Sequence, residues 1–229
     1  MSAVPTAIRP GALWHPSPNF GPRRDGGVLG LVVLHYTAMS SAEAALDRLC
    51  DPEAEVSAHY LIGRDGRLWQ MVVEDRRAWH AGAGGWAGQG DVNSRSIGIE
   101  IDNDGTAPFS EPAMVRLEGL LAAILTDHGL SPDAVIGHSD MAPGRKCDPG
   151  RHFDWRRLAR QGLARPCPAG QEAPPDCRRF DDLLAEAGYP PASHADLLEA
   201  LRARFRPEAH GPLDGRDMAL ASGLLRNSD

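Results

Sequence analysis

Residues 135–149, VIGHSDMAPGRKCDP, carry the pattern on which the fold prediction depends. The apolar run Ala134–Ile136 predicts a short buried strand that ends at Gly137. His138 follows directly, where the end of the strand would direct it out of the sheet. The polar loop that comes next carries Asp148. A histidine at a strand end and an aspartate in the loop after it can converge on one point, which predicts two ligands of a metal site.

A second apolar run ends in the same way. Residues 30–34, GLVVL, predict a buried central strand with His35 at its carboxyl end. A catalytic zinc ion usually keeps three protein ligands and one open position, so His35 is the candidate third ligand. One histidine at a strand end would more often be structural, but two such strands in one chain favour a shared metal site.

The composition is that of a soluble globular protein, with 229 residues, 42% of them hydrophobic and 24% charged. The net charge of −7 argues against a general nucleic-acid binder. The chain has no apolar run of about 18 residues, which excludes a transmembrane helix. Its first residues lack the basic start and apolar core of a signal peptide. We therefore expect a cytoplasmic protein, with a periplasmic or cell-wall location as the alternative.

The four cysteines show no CxxC spacing, which argues against a structural zinc knuckle. Cys167 and Cys177 flank a Pro-rich stretch and could form a disulfide in an oxidising compartment, but would remain thiols in a cytosolic protein.

Two β-rich runs joined across Arg64-Asp65-Gly66 predict a β-hairpin within residues 56–72. The loop after the second hairpin strand is rich in glycine: residues 78–93 read AWHAGAGGWAGQGDVN. It lacks the GxxxxGK[ST] pattern of a phosphate-binding loop. Aromatic side chains on such a loop beside a metal site are typical of a substrate wall, although an ordinary surface loop is the alternative. The candidate substrate-binding residues are Trp79, His80, Trp86 and Asn93. His59, within the first hairpin strand, is interpreted as a hydrogen-bonded core histidine rather than a ligand.

Residues 96–101, SIGIEI, predict a further strand in which isoleucines alternate with Gly98 and Glu100. A carboxylate in the middle of an apolar strand is costly to bury without a function. At the edge of a cleft, Glu100 could serve as a general base with a raised pKa. A long amphipathic helix is predicted to follow over Glu111–His128.

Five segments, in this order along the chain, resemble the zinc-dependent N-acetylmuramoyl-L-alanine amidases of the type 2 amidase family. This family includes AmpD-like and AmiD-like enzymes and is related to peptidoglycan recognition proteins and T7-type lysozyme. The resemblance covers about residues 15–160. The segments are 33–37 (VLHYT), 57–62 (SAHYLI), 78–82 (AWHAG), 93–100 (NSRSIGIE), and 137–140 (GHSD) with 146–149 (KCDP).

The resemblance implies an α/β fold, with a mixed central β-sheet flanked by helices and a Zn²⁺ site at one end of the sheet. It implies hydrolysis of the amide bond between N-acetylmuramic acid and L-alanine in peptidoglycan or muropeptides. It also implies that His35, His138 and Asp148 bind zinc. Glu100 would be the catalytic acid and base, and Lys146 would stabilise the oxyanion.

Two positions depart from branches of the family. Ala58 stands where the T7-type and recognition-protein branches have a catalytic tyrosine, so the proton transfer should depend on Glu100. The T7-type branch also uses a cysteine as third ligand, which makes Cys147 a rival of Asp148. The Asp-Pro sequence matches the branch that uses aspartate and favours Asp148.

The predicted domains are a zinc amidase domain over residues 1–163, a Pro-rich linker over 164–177 and a small three-helix module over 178–229. Residues 1–29 are expected to lie as an extended arm on the first domain. The segment 201–207, LRARFRP, is similar to the peptidoglycan-binding modules that follow AmiD-like domains. The module should then contribute to wall affinity and not to chemistry; a helical extension that only stabilises the amidase is the alternative.

Two other functions compete with a recycling or wall-degrading amidase: a non-catalytic peptidoglycan-recognition binder and a phage-type lytic amidase. Non-catalytic relatives typically lose a metal ligand, whereas this chain keeps all three ligands together with Glu100 and Lys146. The sequence leaves open whether the substrate is polymeric peptidoglycan or a soluble anhydro-muropeptide.

Overall fold

The computed structural model describes residues 8–24 and 27–225. Two predicted segments extend outside the described residues: 1–7 and 25–26 of the N-terminal arm, and 226–229 of the C-terminal module. The strands of the described residues, in chain order, are β1 (Leu13–Trp14), β2 (Phe20–Pro22), β3 (Leu31–Tyr36), β4 (Tyr60–Ile62), β5 (Leu68–Gln70), β6 (Arg76–Ala78), β7 (Ser96–Ile101) and β8 (Val135–Gly137).

The α-helices of the described residues pack around these strands and after them in the chain. They are α1 (Ala42–Cys50), α2 (Val92–Arg95), α3 (Glu111–His128), α4 (His138–Met141), α5 (Trp155–Arg160), α6 (Cys177–Glu186), α7 (His194–Phe205) and α8 (Gly215–Gly223). None of them combines the length and apolar character needed to cross a bilayer. The predicted α/β class with a mixed central sheet flanked by helices is confirmed.

The central sheet has six strands in the order β1-β5-β4-β7-β3-β8. Strands β4, β7, β3 and β8 are parallel neighbours, whereas β4 and β5 form the predicted antiparallel hairpin. The carboxyl ends of β3 and β8 therefore meet at one edge of the sheet, and each ends at a predicted ligand. This topology brings His35 and His138 together although 103 positions separate them in the sequence.

The two faces of β7 serve different purposes. Its isoleucines, at 97, 99 and 101, are fully buried in the core that the sheet forms with α3. Side chains alternate between the faces of a strand, so Gly98 and Glu100 point the other way, as the alternation in the sequence predicts. Helix α3 matches its predicted bounds, because Ser110 caps its first turn and Gly129 ends it with a φ of +62°.

The N-terminal arm was predicted to lie extended on the first domain, and in the structure it also contributes two short strands. Strand β1 extends the central sheet by pairing with β5, and β2 pairs with β6 in a separate two-stranded sheet. Arg23, just after β2, donates hydrogen bonds to the backbone carbonyls of Glu74, Ser94 and Ser96. The sequence did not predict these pairings, because each strand is only two or three residues long and the segment is rich in proline and glycine.

Helices α6, α7 and α8 pack around an apolar cluster of their own that includes Phe180, Leu201 and Met218. Serine and aspartate side chains cap their first turns: Asp176, Ser193 and Asp214 accept hydrogen bonds from backbone N–H groups. Apolar periodicity predicts helices over 178–187, 193–204 and about 214–225, and the observed bounds lie within two residues of these. We call residues 177–225 the C-terminal unit.

Candidate metal centre and catalytic cleft

His35, His138 and Asp148 meet at the carboxyl edge of the sheet, and all three are buried. The Nδ1 atoms of the two histidines are 2.9 Å apart, and Asp148 Oδ2 lies 2.9 Å and 3.0 Å from them. The backbone fixes this triangle, since Ser139 N–H donates to the Asp148 carbonyl at 2.9 Å. The structure thus brings the three predicted ligands to one point.

The outer nitrogen of each imidazole has its own partner. His138 Nε2 lies 2.9 Å from the carbonyl oxygen of Ala81, which can only accept a hydrogen bond, and 3.3 Å from Arg145 Nη2; the shorter contact favours a proton on Nε2. His35 Nε2 lies 3.0 Å from His80 Nδ1, and His80 Nε2 lies 3.2 Å from the Ser96 hydroxyl. That hydroxyl donates to the Val92 carbonyl at 2.6 Å, so it accepts from His80 Nε2. His80 Nδ1 then accepts from the Nε2–H of His35.

These partners leave both Nδ1 lone pairs and the carboxylate of Asp148 directed at each other. Burial lowers the pKa of His35 to about 4, with the neighbouring His138 adding to the effect, so the imidazole of His35 is neutral at physiological pH. Three electron-pair donors facing one another are the arrangement expected of a metal site.

Ligands at 2.0–2.2 Å around a tetrahedral metal ion would lie about 3.3–3.6 Å apart. The observed separations of 2.9–3.0 Å are a few tenths of an ångström shorter, so the three side chains would need only a small outward shift to hold an ion. A donor set of two imidazoles and one carboxylate is that of an open, catalytic zinc-type site. The residues therefore fit a metal ion, and the orienting partners on the outer nitrogens are those that metal-binding histidines usually have.

Glu100 lies beside this centre. In the register of the parallel strands β3 and β7, it is the direct neighbour of His35, and neighbouring strands are about 4.8 Å apart. Its Oε2 is shielded from solvent and has no hydrogen-bond partner among the described residues. Burial, with a contribution from the Asp148 charge, raises the pKa of Glu100 well above its ordinary value, and Lys146 opposes the shift.

A cleft of about 400 Å³ opens over the ligands and Glu100. Trp79 and Lys146 line it, together with Arg48 and Arg145. Three cationic groups around two carboxylates give this cleft a positive rim. Of the predicted site residues, Trp79, His80 and Lys146 thus line this cleft, and their roles stay predictions.

The other candidate substrate-binding residues lie differently. Asn93 is buried, and its Oδ1 accepts hydrogen bonds from the N–H groups of His80 and Ala81, which fixes the backbone of the glycine-rich loop. Trp86 packs edge-to-face on Tyr189 of the C-terminal unit. Neither lines the cleft of the metal centre.

Cys147 is an exposed thiol whose Sγ lies 3.1 Å from the Tyr36 hydroxyl, outside the three-residue ligand group. Cys167 and Cys177 are also free, so the structure does not pair them.

Comparison with known proteins identifies the family. The sequence profile of the N-acetylmuramoyl-L-alanine amidases matches residues 26–151. The chain is 34% identical to the N-acetylmuramoyl-L-alanine amidase AmiD of Escherichia coli (strain K12), across 85% of this chain and 82% of AmiD. The chain belongs to the N-acetylmuramoyl-L-alanine amidase family. The predicted family and the predicted enzyme class, an N-acetylmuramoyl-L-alanine amidase, are confirmed.

Solved structures agree with this amidase over nearly its whole length. The complex of E. coli AmiD with the substrate anhydro-N-acetylmuramic acid-L-Ala-D-γ-Glu-L-Lys has a TM-score of 0.79 at 32% identity, covering 88% of this chain and 91% of that one. AmpDh3 from Pseudomonas aeruginosa has a TM-score of 0.76 at 28% identity, covering 98% and 97%. The C-terminal unit is therefore part of the shared fold.

Two features of the amidase escaped the sequence reasoning. Arg145 donates to the Ala81 carbonyl oxygen at 2.6 Å, and His138 Nε2 contacts the same oxygen at 2.9 Å. Its position directly before Lys146 was the available signal. Asp140, in the HSD triplet after the strand, is buried and bonded to the C-terminal unit. Its place two residues from His138 was the signal there.

Proposed function

We propose that this amidase uses Zn²⁺, held by His35, His138 and Asp148, to hydrolyse the amide bond between N-acetylmuramic acid and L-alanine in muropeptides. The observation that carries the proposal is the triangle of three donor atoms within 3.0 Å, with the unpartnered carboxylate oxygen of Glu100 beside it. Zinc would lower the pKa of a bound water toward about 7 and polarise the scissile carbonyl.

The residues of the chain supply the proton transfers and the charge stabilisation. Glu100 takes the proton of the attacking water and delivers it to the leaving nitrogen, for which a raised pKa is suited. Lys146, at the rim of the same cleft, stabilises the negative charge that develops on the carbonyl oxygen. The walls of the cleft exclude part of the solvent, which strengthens both effects.

The substrate is proposed from the relatives. The solved AmiD complex contains an anhydro-muramyl tripeptide, and AmpDh3 has been solved with an anhydromuramic pentapeptide. We infer that a soluble anhydro-muropeptide is a substrate of this chain and that the C-terminal unit adds affinity for polymeric peptidoglycan.

Mass spectrometry of digests tests the activity. The zinc-loaded protein should split an anhydro-muramyl tripeptide into the anhydro sugar and a free tripeptide beginning with L-alanine. A chelator should abolish the reaction, and zinc should restore it. Purified sacculi form the second arm, in which free stem peptides should appear. An intact tripeptide substrate, or cleavage at any other bond, would contradict the proposal.

The pH dependence of stability tests the environment of Glu100. The folded, metal-free protein retains a proton on Glu100 above the ordinary carboxyl pKa of 4.5, where the unfolded chain releases it. The free energy of unfolding therefore decreases as the pH rises from about 4.5 to the folded-state pKa. Glu100→Gln removes this effect. The variant should match the parent in stability at pH 4 and be more stable than the parent at neutral pH.

Urea denaturation between pH 4 and pH 8, with chelator present, measures this difference. Glu74→Gln is the matched control. Its carboxylate is also largely buried, but hydrogen bonds from Arg9, Tyr60 and His128 give it a lowered pKa. Its variant should become less stable relative to the parent as the pH rises. A stability difference for Glu100→Gln that does not change with pH would refute the assignment.

A further inference from the structure

Asp140 is a buried carboxylate only two residues from the proposed ligand His138. Its Oδ2 accepts the backbone N–H of Gly137 at 2.8 Å and also accepts from Arg204 Nη1 at 2.5 Å. Its Oδ1 accepts the hydroxyl of Tyr189 at 3.1 Å. Both side-chain partners belong to the C-terminal unit, so residues far along the chain neutralise this charge beside the metal centre.

Arg204 contacts three residues that precede the C-terminal unit in the chain. Besides the ion pair with Asp140, its Nη2 donates to the Val135 carbonyl at 2.8 Å. Its guanidinium also lies 4.6 Å from the ring centre of Trp155, a cation–π distance. The side chains of Arg204 and Asp140 are 4% and 1% exposed, which places the pair in a region of low dielectric. Such a pair gives strong geometric constraint, because leaving either charge unpartnered is costly.

Tyr189 also contacts the glycine-rich loop beside the metal centre. Its ring packs on Trp86 of the glycine-rich loop with 5.1 Å between ring centres. The neighbouring Gly188 carbonyl accepts the N–H of Ala87 at 2.8 Å. The same loop supplies the Ala81 carbonyl that orients His138.

These contacts converge on the backbone that carries two of the three proposed ligands. The residue before His138 donates its N–H to Asp140, and the residue after it, Ser139, donates its N–H to the Asp148 carbonyl. A shift of Asp140 would therefore move His138 and would change its distance to Asp148. A displacement of a few tenths of an ångström matters, because the three donor atoms are held within 3.0 Å.

We propose that the C-terminal unit positions the metal-binding segment, with Arg204 as the main positioning residue acting through Asp140. This inference rests on the proposed zinc site and gives the unit a role in addition to wall binding. Arg204 contacts neither the cleft nor the ligands, so its effect must pass through the backbone on either side of His138.

Zinc affinity of the full chain, measured by competition with a chromogenic chelator, tests the inference. Arg204→Met keeps much of the side-chain volume and removes the charge. We expect its zinc dissociation constant to rise by about 10-fold, the lower end of the range for groups that orient metal ligands. Arg204→Lys restores a charge toward Asp140 and should recover part of the affinity.

Arg202→Met is the matched control. Arg202 lies on the same helix, and its pair with Asp217 is as buried as the first, with side chains 3% and 0% exposed. That pair lies entirely within the C-terminal unit. Its loss should lower stability but leave the zinc dissociation constant within about twofold of the parent value. Equal zinc affinities for the two variants and the parent would overturn the inference, and an equal loss in both would show a general effect of destabilisation, which also overturns it.

Hydrogen exchange provides a readout that does not need metal. In the zinc-free proteins, the amides of Gly137 and Ser139 should exchange faster in Arg204→Met than in Arg202→Met. Unchanged exchange would contradict the inference. If Arg204→Met does not fold, Tyr189→Phe removes one hydrogen bond to the same carboxylate, and a zinc affinity equal to that of the parent would again contradict it. Failure of the parent itself to bind zinc would instead refute the proposed function.

Discussion

Replacing Glu100 with glutamine is expected to reduce kcat by about 10²–10⁴-fold, the contribution typical of a general acid or base. Glutamine retains the shape of the side chain, but its amide cannot accept the proton of the attacking water. Glu100 is the direct strand neighbour of His35, and its Oε2 has no other partner among the described residues. Metal content should stay at the parent level, because Glu100 is outside the ligand group.

Stopped-time assays on an anhydro-muramyl tripeptide, combined with elemental analysis of the same samples, measure both quantities. Glu74→Gln again serves as the control, since it changes a buried carboxylate that does not line the cleft. It should keep turnover near the parent value. If Glu100→Gln binds zinc and remains within about threefold of the parent, another group transfers the proton, and His80 would be the next residue to replace.

The ligands were predictable because their signals are local. An apolar run predicts a buried strand, and the residue after it must lie at the edge of the sheet. His35 and His138 both satisfy this pattern, and parallel pairing through β3 and β8 brings their strand ends together. Glu100 followed from the alternation of one strand. The helix bounds in the C-terminal unit were also predictable, because caps and apolar periodicity are encoded within each helix.

The glycine-rich loop was less predictable because its side chains are placed by residues distant in sequence. Asn93 was a candidate for substrate binding, yet its amide oxygen accepts hydrogen bonds from two backbone N–H groups of the loop. Trp86 was assigned to the same wall, and it packs against Tyr189, about 100 positions away. His80 lies directly over β7, where a Cβ at Gly98 would come within 2.4 Å of its ring. Neither composition nor spacing could specify this close approach.

The N-terminal strands and the Arg204–Asp140 pair were missed for a related reason. A two-residue strand leaves no periodic pattern, and its pairing is decided by the sheet edge that it meets. An arginine on an amphipathic helix is ordinarily solvated, and only the packed arrangement shows that Arg204 is enclosed between α4 and α5. Long-range contacts of this kind are specified by tertiary structure and not by any segment alone.

The largest loss is expected on removal of a ligand: His138→Ala should weaken zinc binding by more than about 100-fold and abolish measurable turnover. The removal of residues that only orient ligands costs about 10–100-fold in metal affinity or activity, and the loss of the ligand itself must exceed that. The two remaining donors would leave zinc with half of a tetrahedral shell. Elemental analysis after gel filtration would show the loss directly, and a full zinc complement would refute the site.

His59→Gln is the matched control for that experiment. His59 is also a buried histidine whose pKa is lowered to about 4, chiefly by burial. Its ring bonds to the Gly98 N–H and lies near the Arg76 carbonyl, so it supports the sheet without facing the ligands. The variant should be less stable but should keep its zinc. A loss of zinc in His59→Gln equal to that in His138→Ala would show that the effect comes from destabilisation and not from ligation.

The third ligand is decided by a pair of adjacent substitutions. Asp148→Asn should lose zinc nearly as completely as His138→Ala, because a neutral amide is a much weaker donor than the carboxylate that both imidazoles contact. Cys147→Ser should retain zinc, because its sulfur is exposed and contacts the Tyr36 hydroxyl instead. The opposite result, zinc lost with Cys147 and kept without the Asp148 charge, would transfer the third position to the thiolate and would leave the two histidines unchanged as ligands.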